Sequence, residues 1–166
     1  TKTAGRTPLA IGKLGQFYTI TIAVVNGPTT ATMTIADVMP TGVTLSAVPT
    51  ATGGVLSGCP ITGSTLLGCT IAANAIGPVV ITVPVSVGAT AAGTSAVNSA
   101  TVSGGGDPTC PAAAHCTGTV STPVASPDMQ VVPSTQLPNP VAGVPCPAGQ
   151  IIACINASSI PAANAS

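Results

Sequence analysis

The residues able to do chemistry in this chain are few. The stretch GGGDPTCPAAAHCTG (Gly104–Gly118) gathers Asp107, Cys110, His115 and Cys116, and His115 is the only histidine. Such a set raises three possibilities: metal binding, thiol–disulfide exchange, or a stapled loop. A structural zinc site takes four ligands, usually as two close pairs, and the PAAAH between Cys110 and Cys116 is wider than a zinc knuckle. The C-x-x-C of a redox pair and the C-x-x-C-H of a c-type haem are both absent. The spacing predicts a disulfide-stapled loop, with His115 a polar loop residue and no metal.

Nucleophilic catalysis has little to draw on. A Ser-His-Asp arrangement would need His115 as its base, and neither Asp37 nor Asp107 lies near a G-x-S-x-G elbow. Glycoside hydrolysis needs a carboxylate pair, but the acidic residues are only Asp37, Asp107 and Asp128. Asp37 precedes VMPTG and Asp107 precedes a proline, so both read as turn positions. Calcium wants clustered carboxylates, and GGGDP supplies one. The chain is expected to be non-enzymatic, without catalytic residues or cofactors. NAS at Asn156 and Asn164 fits the N-glycosylation pattern.

Charged residues make up 4% of the 166 positions, against about 25% in ordinary globular chains. Lys2, Arg6 and Lys13 balance the three aspartates, for a net charge of zero. With no basic patch, neither nucleic acid nor an anionic membrane surface is an expected partner. Disorder is disfavoured because the apolar content is high. An uncharged, β-prone chain is an aggregation hazard as a free monomer, so it is expected to be assembled or coated with sugar. The most apolar stretch, PVVITVPVSVGATAAG from Pro78, is too short and too punctuated to span a bilayer as a helix, so membrane insertion is not expected. No basic n-region precedes an apolar h-region, so no signal peptide is expected in these residues.

The six cysteines fall in three close pairs. Short spacing within a strand-rich context favours Cys59–Cys69, Cys110–Cys116 and Cys146–Cys154. Disulfides persist outside the cytosol, which predicts a secreted or cell-surface protein.

These groups must be positioned by strands, because the dominant period is two. QFYTITIAVV sets Tyr18, Ile20, Ile22 and Val24 on one face; ATMTIADV sets Met33 and Ile35 together; VVITVPVSV aligns Val79, Ile81, Val83, Val85 and Val87. Strands are expected near 7–12, 16–26, 31–39, 42–48, 64–72, 78–87, 96–103 and 116–124. Turn signals separate them at sandwich-like spacing. Pro84 inside a strong strand predicts an edge or a bulge. The expectation is an all-β sandwich of about seven to eight strands over residues 1–124, followed by a proline-punctuated linker and extended tail at 125–166. GQIIACINASSIPAANA in that tail echoes GQFYTITIAVVNGPTTAT near the start, a weak internal repeat.

The order and spacing of Thr1–Lys2–Thr3, GQFYTITIAVVNGP, ADVMPTGVTL, GCPITGSTLLGCTIA and VNSATVS resemble the DUF11 conserved-repeat domain of bacterial and archaeal surface proteins. The resemblance runs through GGGDPTCPAAAHCTGTVSTPV, covering about residues 1–124. SPDMQVVPSTQLPNPVAGVP then resembles the entrance to a following repeat, whose copy here is incomplete. The resemblance implies an immunoglobulin-like β-sandwich that is extracellular, usually in tandem and without catalytic residues.

The resulting expectation is a structural subunit of an extracellular filament or surface array. Copies of the chain would join head-to-tail, the tail of one lending a strand to the sheet edge of the next. Val131, Val132, Ile151, Ile152 and Ile155 are the expected anchors. Two alternatives stand beside it. One is a single unit of a multi-repeat adhesin or stalk. The other is a binding module that presents the Cys110–Cys116 loop to a host or surface receptor; with so few aromatic rings to stack on sugars, a carbohydrate ligand fits poorly.

Overall fold

Alternation of apolar and small polar residues dictates the architecture. In the computed structural model, which describes residues 1–60, 63 and 65–127, that alternation becomes two packed antiparallel sheets without an α-helix among the described residues. These residues belong to the unit Thr1–Pro127. The strands are β1 (Lys2–Ala4), β2 (Leu9–Ala10), β3 (Gln16–Ile22), β4 (Met33–Val38), β5 (Val43–Leu45), β6 (Thr50–Thr52), β7 (Leu56–Ser57), β8 (Leu66–Ile71), β9 (Val79–Val87), β10 (Ser95–Gly104) and β11 (Thr117–Ala125). One sheet runs β1–β3–β9–β5, with β6 also on β9; the other runs β2–β11–β10–β4–β8–β7. Every pairing is antiparallel except that of β2 with β11.

The protein is therefore an all-β sandwich. It has eleven described strands rather than seven to eight. The three additions, β1, β6 and β7, are two or three residues long. So short a run cannot display a period of two, and only pairing to a longer neighbour makes it a strand.

The core lies between the sheets. Val79, Ile81, Val83, Val85 and Val87 of β9 all point into it and are at most 2% exposed. Facing them are Met33 and Ile35 of β4 and Leu67, Cys69 and Ile71 of β8. Burying each branched side chain contributes about 1.5–3 kcal/mol. Outward positions are largely hydroxylic. On the six-stranded sheet the hydroxyls pair across strands: Ser95 with Ser121 at 2.7 Å, Ser99 with Thr119 at 2.7 Å, and Ser57 with Thr70 at 2.8 Å.

Pro84 lies in the interior strand β9, not at an edge or a bulge. It sits opposite Phe17 of β3, and on the other side its carbonyl accepts from Ser46 N at 3.0 Å. The nitrogen and carbonyl of a strand residue face the same neighbour. The missing N–H thus faces the point where β5 ends, at Leu45 opposite Val85, before β6 resumes with Thr50 opposite Thr82. The Ser46–Pro84 pair is one bond short, and the chain leaves the sheet there.

A polar anchor and a glycine run shape two of the loops between strands. Gln16, 2% exposed, accepts from Ala10 N at 2.6 Å and donates to the carbonyls of Ala10 (2.8 Å) and Lys13 (2.9 Å), closing the β2–β3 turn. At the end of β10, Gly104, Gly105 and Gly106 all have positive φ (77°, 70° and 92°). A Cβ on Gly104 would run into the Thr32 carbonyl, so only glycine lets this segment fold back against Thr30–Thr32 and launch the loop to β11.

Candidate functional site

The loop between β10 and β11 is organised by Asp107. Its Oδ1 accepts from Thr109 N at 2.8 Å and from Thr109 Oγ1 at 2.6 Å, an Asx-type turn. Its Oδ2 lies 3.0 Å from His115 Nε2. Hydrogen bonds from the Thr109 hydroxyl, then from His115, then from the Thr109 amide hold the Asp107 carboxyl well below the usual carboxylate range. Cys110 and Cys116 are joined, with their Cα atoms 5.6 Å apart, a separation typical of disulfides. His115 is thus more than the incidental loop residue that the sequence implies: it is half of a polar clasp across the stapled turn.

The donor atoms of Asp107, Cys110, His115 and Cys116 lie within 4.8 Å of one another. In the disulfide form the two sulfurs are bonded to each other, and the remaining donors, Asp107 and His115, are paired together. That is half of a tetrahedral zinc set. Nor does the cluster form a catalytic triad. The Thr109 hydroxyl donates to Asp107 and stands 3.5 Å from His115 Nε2, whereas a triad needs its base between acid and nucleophile.

Cys59 and Cys69 are also bonded, Cα to Cα 4.4 Å. They tie the segment after β7 to the buried side of β8, since Cys69 is 1% exposed. Cys146–Cys154 and the expected anchors Val131, Val132, Ile151, Ile152 and Ile155 lie outside the described residues.

A second polar cluster sits inside the sandwich, and sequence reading places it wrongly. Asp37 is not in a turn. It follows Met33 and Ile35 on the inward face of β4 and is 1% exposed. Lys2, on β1 of the opposite sheet, is 5% exposed, and its Nζ donates to Asp37 Oδ2 across the core. The ammonium also stands 5.1 Å from the centroid of the Tyr18 ring. Asn98 of β10, fully buried, lies beside Asp37 closely enough to favour its charged form. Its geometry falls short of a hydrogen bond, so Asp37 Oδ1 and Asn98 Oδ1 both lack partners, as does the Tyr18 hydroxyl. Asn98 Nδ2 has only a weak contact to Met39 Sδ at 3.9 Å.

Burial dominates the electrostatics of this cluster. Desolvation lowers the Lys2 pKa against the opposing pull of Asp37, and raises that of Asp37 against the pull of Lys2. It also pushes Tyr18 up to about 12, with the Asp37 charge adding to the shift. The sequence does hold a signal for these positions. The parity of MTIADV puts Asp37 with Met33 and Ile35, and that of SAVNSA puts Asn98 with Ala96 and Ala100.

A cleft of about 940 Å³ lies beside the last residues of β3 and those that follow it. Its lining includes Ile20, Ile22 and Val24 from one sheet and the segment after it, Met33, Ala100 and Val102 from the other sheet, and His115 and Cys116. No helix among the described residues is long and apolar enough to cross a membrane.

Fold and sites together define an all-β sandwich with two disulfides among its described residues. No protein-family model matches the chain, and no curated protein matches it.

Proposed function

We propose that the chain is a non-enzymatic structural subunit of an extracellular filament or surface array, built on an immunoglobulin-like sandwich of the DUF11 type. Copies join head-to-tail through strand complementation. The observation that carries this reading is the cleft, whose two sheets present facing apolar side chains with space between them. Beside it, β1 pairs with β3 from Ala4–Tyr18 to Lys2–Ile20, and Thr1 and Thr21 exchange two further main-chain hydrogen bonds. An incoming strand lying in this cleft would gain main-chain hydrogen bonds from a sheet edge and bury alternate side chains against Met33 and Val102. The sequence beyond the described residues offers apolar candidates at Val131, Val132, Ile151, Ile152 and Ile155. The two disulfides are compatible with an extracellular setting.

Deletion of 126–166 tests the donor, and Val102→Glu tests the acceptor. Size-exclusion chromatography and negative-stain microscopy should show assemblies for the full chain and folded monomers for both variants. Assemblies that persist in both would overturn strand complementation. Assembly lost only when Asp107 or His115 is replaced would favour a role for the stapled loop as a binding surface.

A further inference from the structure

We propose that Lys2 and Asn98 become joined by an intramolecular isopeptide bond, formed by the protein itself with Asp37 shuttling the protons. This goes beyond the structural role proposed above and does not depend on it.

The three groups belong to different strands, are all buried, and meet at Asp37, which Lys2 touches and Asn98 neighbours. Lys2 comes from the edge of one sheet, and Asp37 and Asn98 come from adjacent strands of the other. Asp37 pairs directly with Ala100, which makes Asn98 its diagonal neighbour on the same inward face. Lys2 Nζ already touches Asp37. A buried amine, a buried carboxylate and a buried carboxamide in mutual proximity are costly as a purely structural device. They are also the parts list for an acyl transfer: a nucleophile, a proton shuttle and an acyl acceptor.

The steps balance. Lys2 Nζ first gives one proton to Asp37, leaving a neutral amine and a neutral acid. Desolvation, the dominant influence on both groups, favours this exchange. The protonated Asp37 supplies a donor in a pocket where its own Oδ1 and Asn98 Oδ1 otherwise lack one, and so polarises the carboxamide. The amine adds to Asn98 Cγ. A second Nζ proton passes through Asp37 to Nδ2, the Cγ–Nδ2 bond breaks, and ammonia leaves. Nζ–Cγ is then an amide, and Asp37 keeps the first proton as a carboxylic acid. No oxidant or cofactor enters. Holding the reactants in place replaces the activation that such a transfer requires in solution.

Asp37 is not itself the acyl acceptor, because its reaction with Lys2 would lack a shuttle. The remaining acidic residues are Asp107, in the exposed loop, and Asp128, outside the described residues.

Mass spectrometry of the intact, disulfide-reduced chain reads the result. The folded protein should weigh one ammonia less than its sequence, and proteolysis should yield a branched peptide linking Lys2 to Asn98. Asn98→Ala, Lys2→Met and Asp37→Ala should each keep the full mass. Asn98→Asp should lose one water and give the same product mass as the wild type, a check that survives if another variant fails to fold. Full mass in the folded wild type overturns the proposal. So does loss of one water in the wild type, which would make Asp37 the acceptor. Loss of ammonia that persists in Lys2→Met also overturns it, since that is backbone succinimide formation at Asn98.

Discussion

The ammonium of Lys2 stands 5.1 Å above the ring of Tyr18, the only tyrosine in the chain. Both side chains reach the core from neighbouring strands, with Ala4 of β1 directly opposite Tyr18 of β3. Because there is no tryptophan, the tyrosinate absorbance band reports on this pocket alone. Burial, and then the charge of Asp37, raise the Tyr18 pKa from 10.0 to about 12. In Asn98→Ala, where Lys2 and Asp37 stay unlinked, a spectroscopic titration should find Tyr18 ionising near 12 in the folded protein and near 10 in denaturant. The unfolded chain releases this proton first, so the folded state should lose stability as pH rises from 10 toward 12. A folded-state midpoint at the ordinary value would contradict the burial.

Ile81 sits at the centre of the sheet, paired with Ile20 on one side and Ala51 on the other, with no exposed surface. Ile81→Ala should cost about 2–5 kcal/mol in denaturant unfolding. Its outward neighbour Thr82→Ala should change stability by about 0.5 kcal/mol or less. Equal effects would mean that the inward and outward faces have been interchanged.

The Cys59–Cys69 bond closes a short loop onto a buried strand position. Replacing both cysteines by serine should lower stability by about 2–3 kcal/mol, with a further penalty for a hydroxyl at the buried site of Cys69. Thiol counting in denaturant before and after reduction checks the premise: the intact chain should show no reactive thiol at 59, 69, 110 or 116.

Asp107 should titrate late. Its folded-state pKa is depressed by Thr109 and His115, so its contribution to loop order is present above the ordinary carboxylate value of 3.8 and is lost as pH falls below it. The Thr109 amide resonance should stay constant down to that value and shift only below it. In Thr109→Val the midpoint should move back up toward the ordinary range. A midpoint unchanged by that substitution would remove Thr109 as the cause.

Gly104→Ala should destabilise the protein by about 1–3 kcal/mol, because the residue is held at positive φ against the Thr32 carbonyl. Gly12→Ala, at a similar φ but with open space around it, should cost less. Thermal unfolding of the two variants gives the comparison.

The long strands were legible because each repeats its alternation several times: VVITVPVSV shows five inward residues in a row of nine. β1, β6 and β7 were not, since two or three residues carry no period. Asp37 and Lys2 were hidden for a different reason. A charged side chain is ordinarily a surface residue, and that expectation outweighed the parity of MTIADV. Only the meeting of two sheets shows that the two charges neutralise each other. Pro84 misled in the same way. Its missing N–H faces Ser46, where the chain leaves the sheet between two short strands, rather than an open sheet edge. The Cys110–Cys116 loop was legible as a staple, while its Asp107–His115 clasp required the fold of the turn.

The hydroxyl pairs along the six-stranded sheet have a consequence for how the molecule meets others. With Lys2 and Asp37 inside, the titratable side chains left outside among the described residues are Arg6, Lys13, Asp107 and His115. Two such surfaces approaching through water exert little pull or push at a distance, at low salt or high. Nothing steers them and nothing keeps them apart. Adhesion or indifference is decided only at contact, by how well one ridge of serine and threonine fits the next.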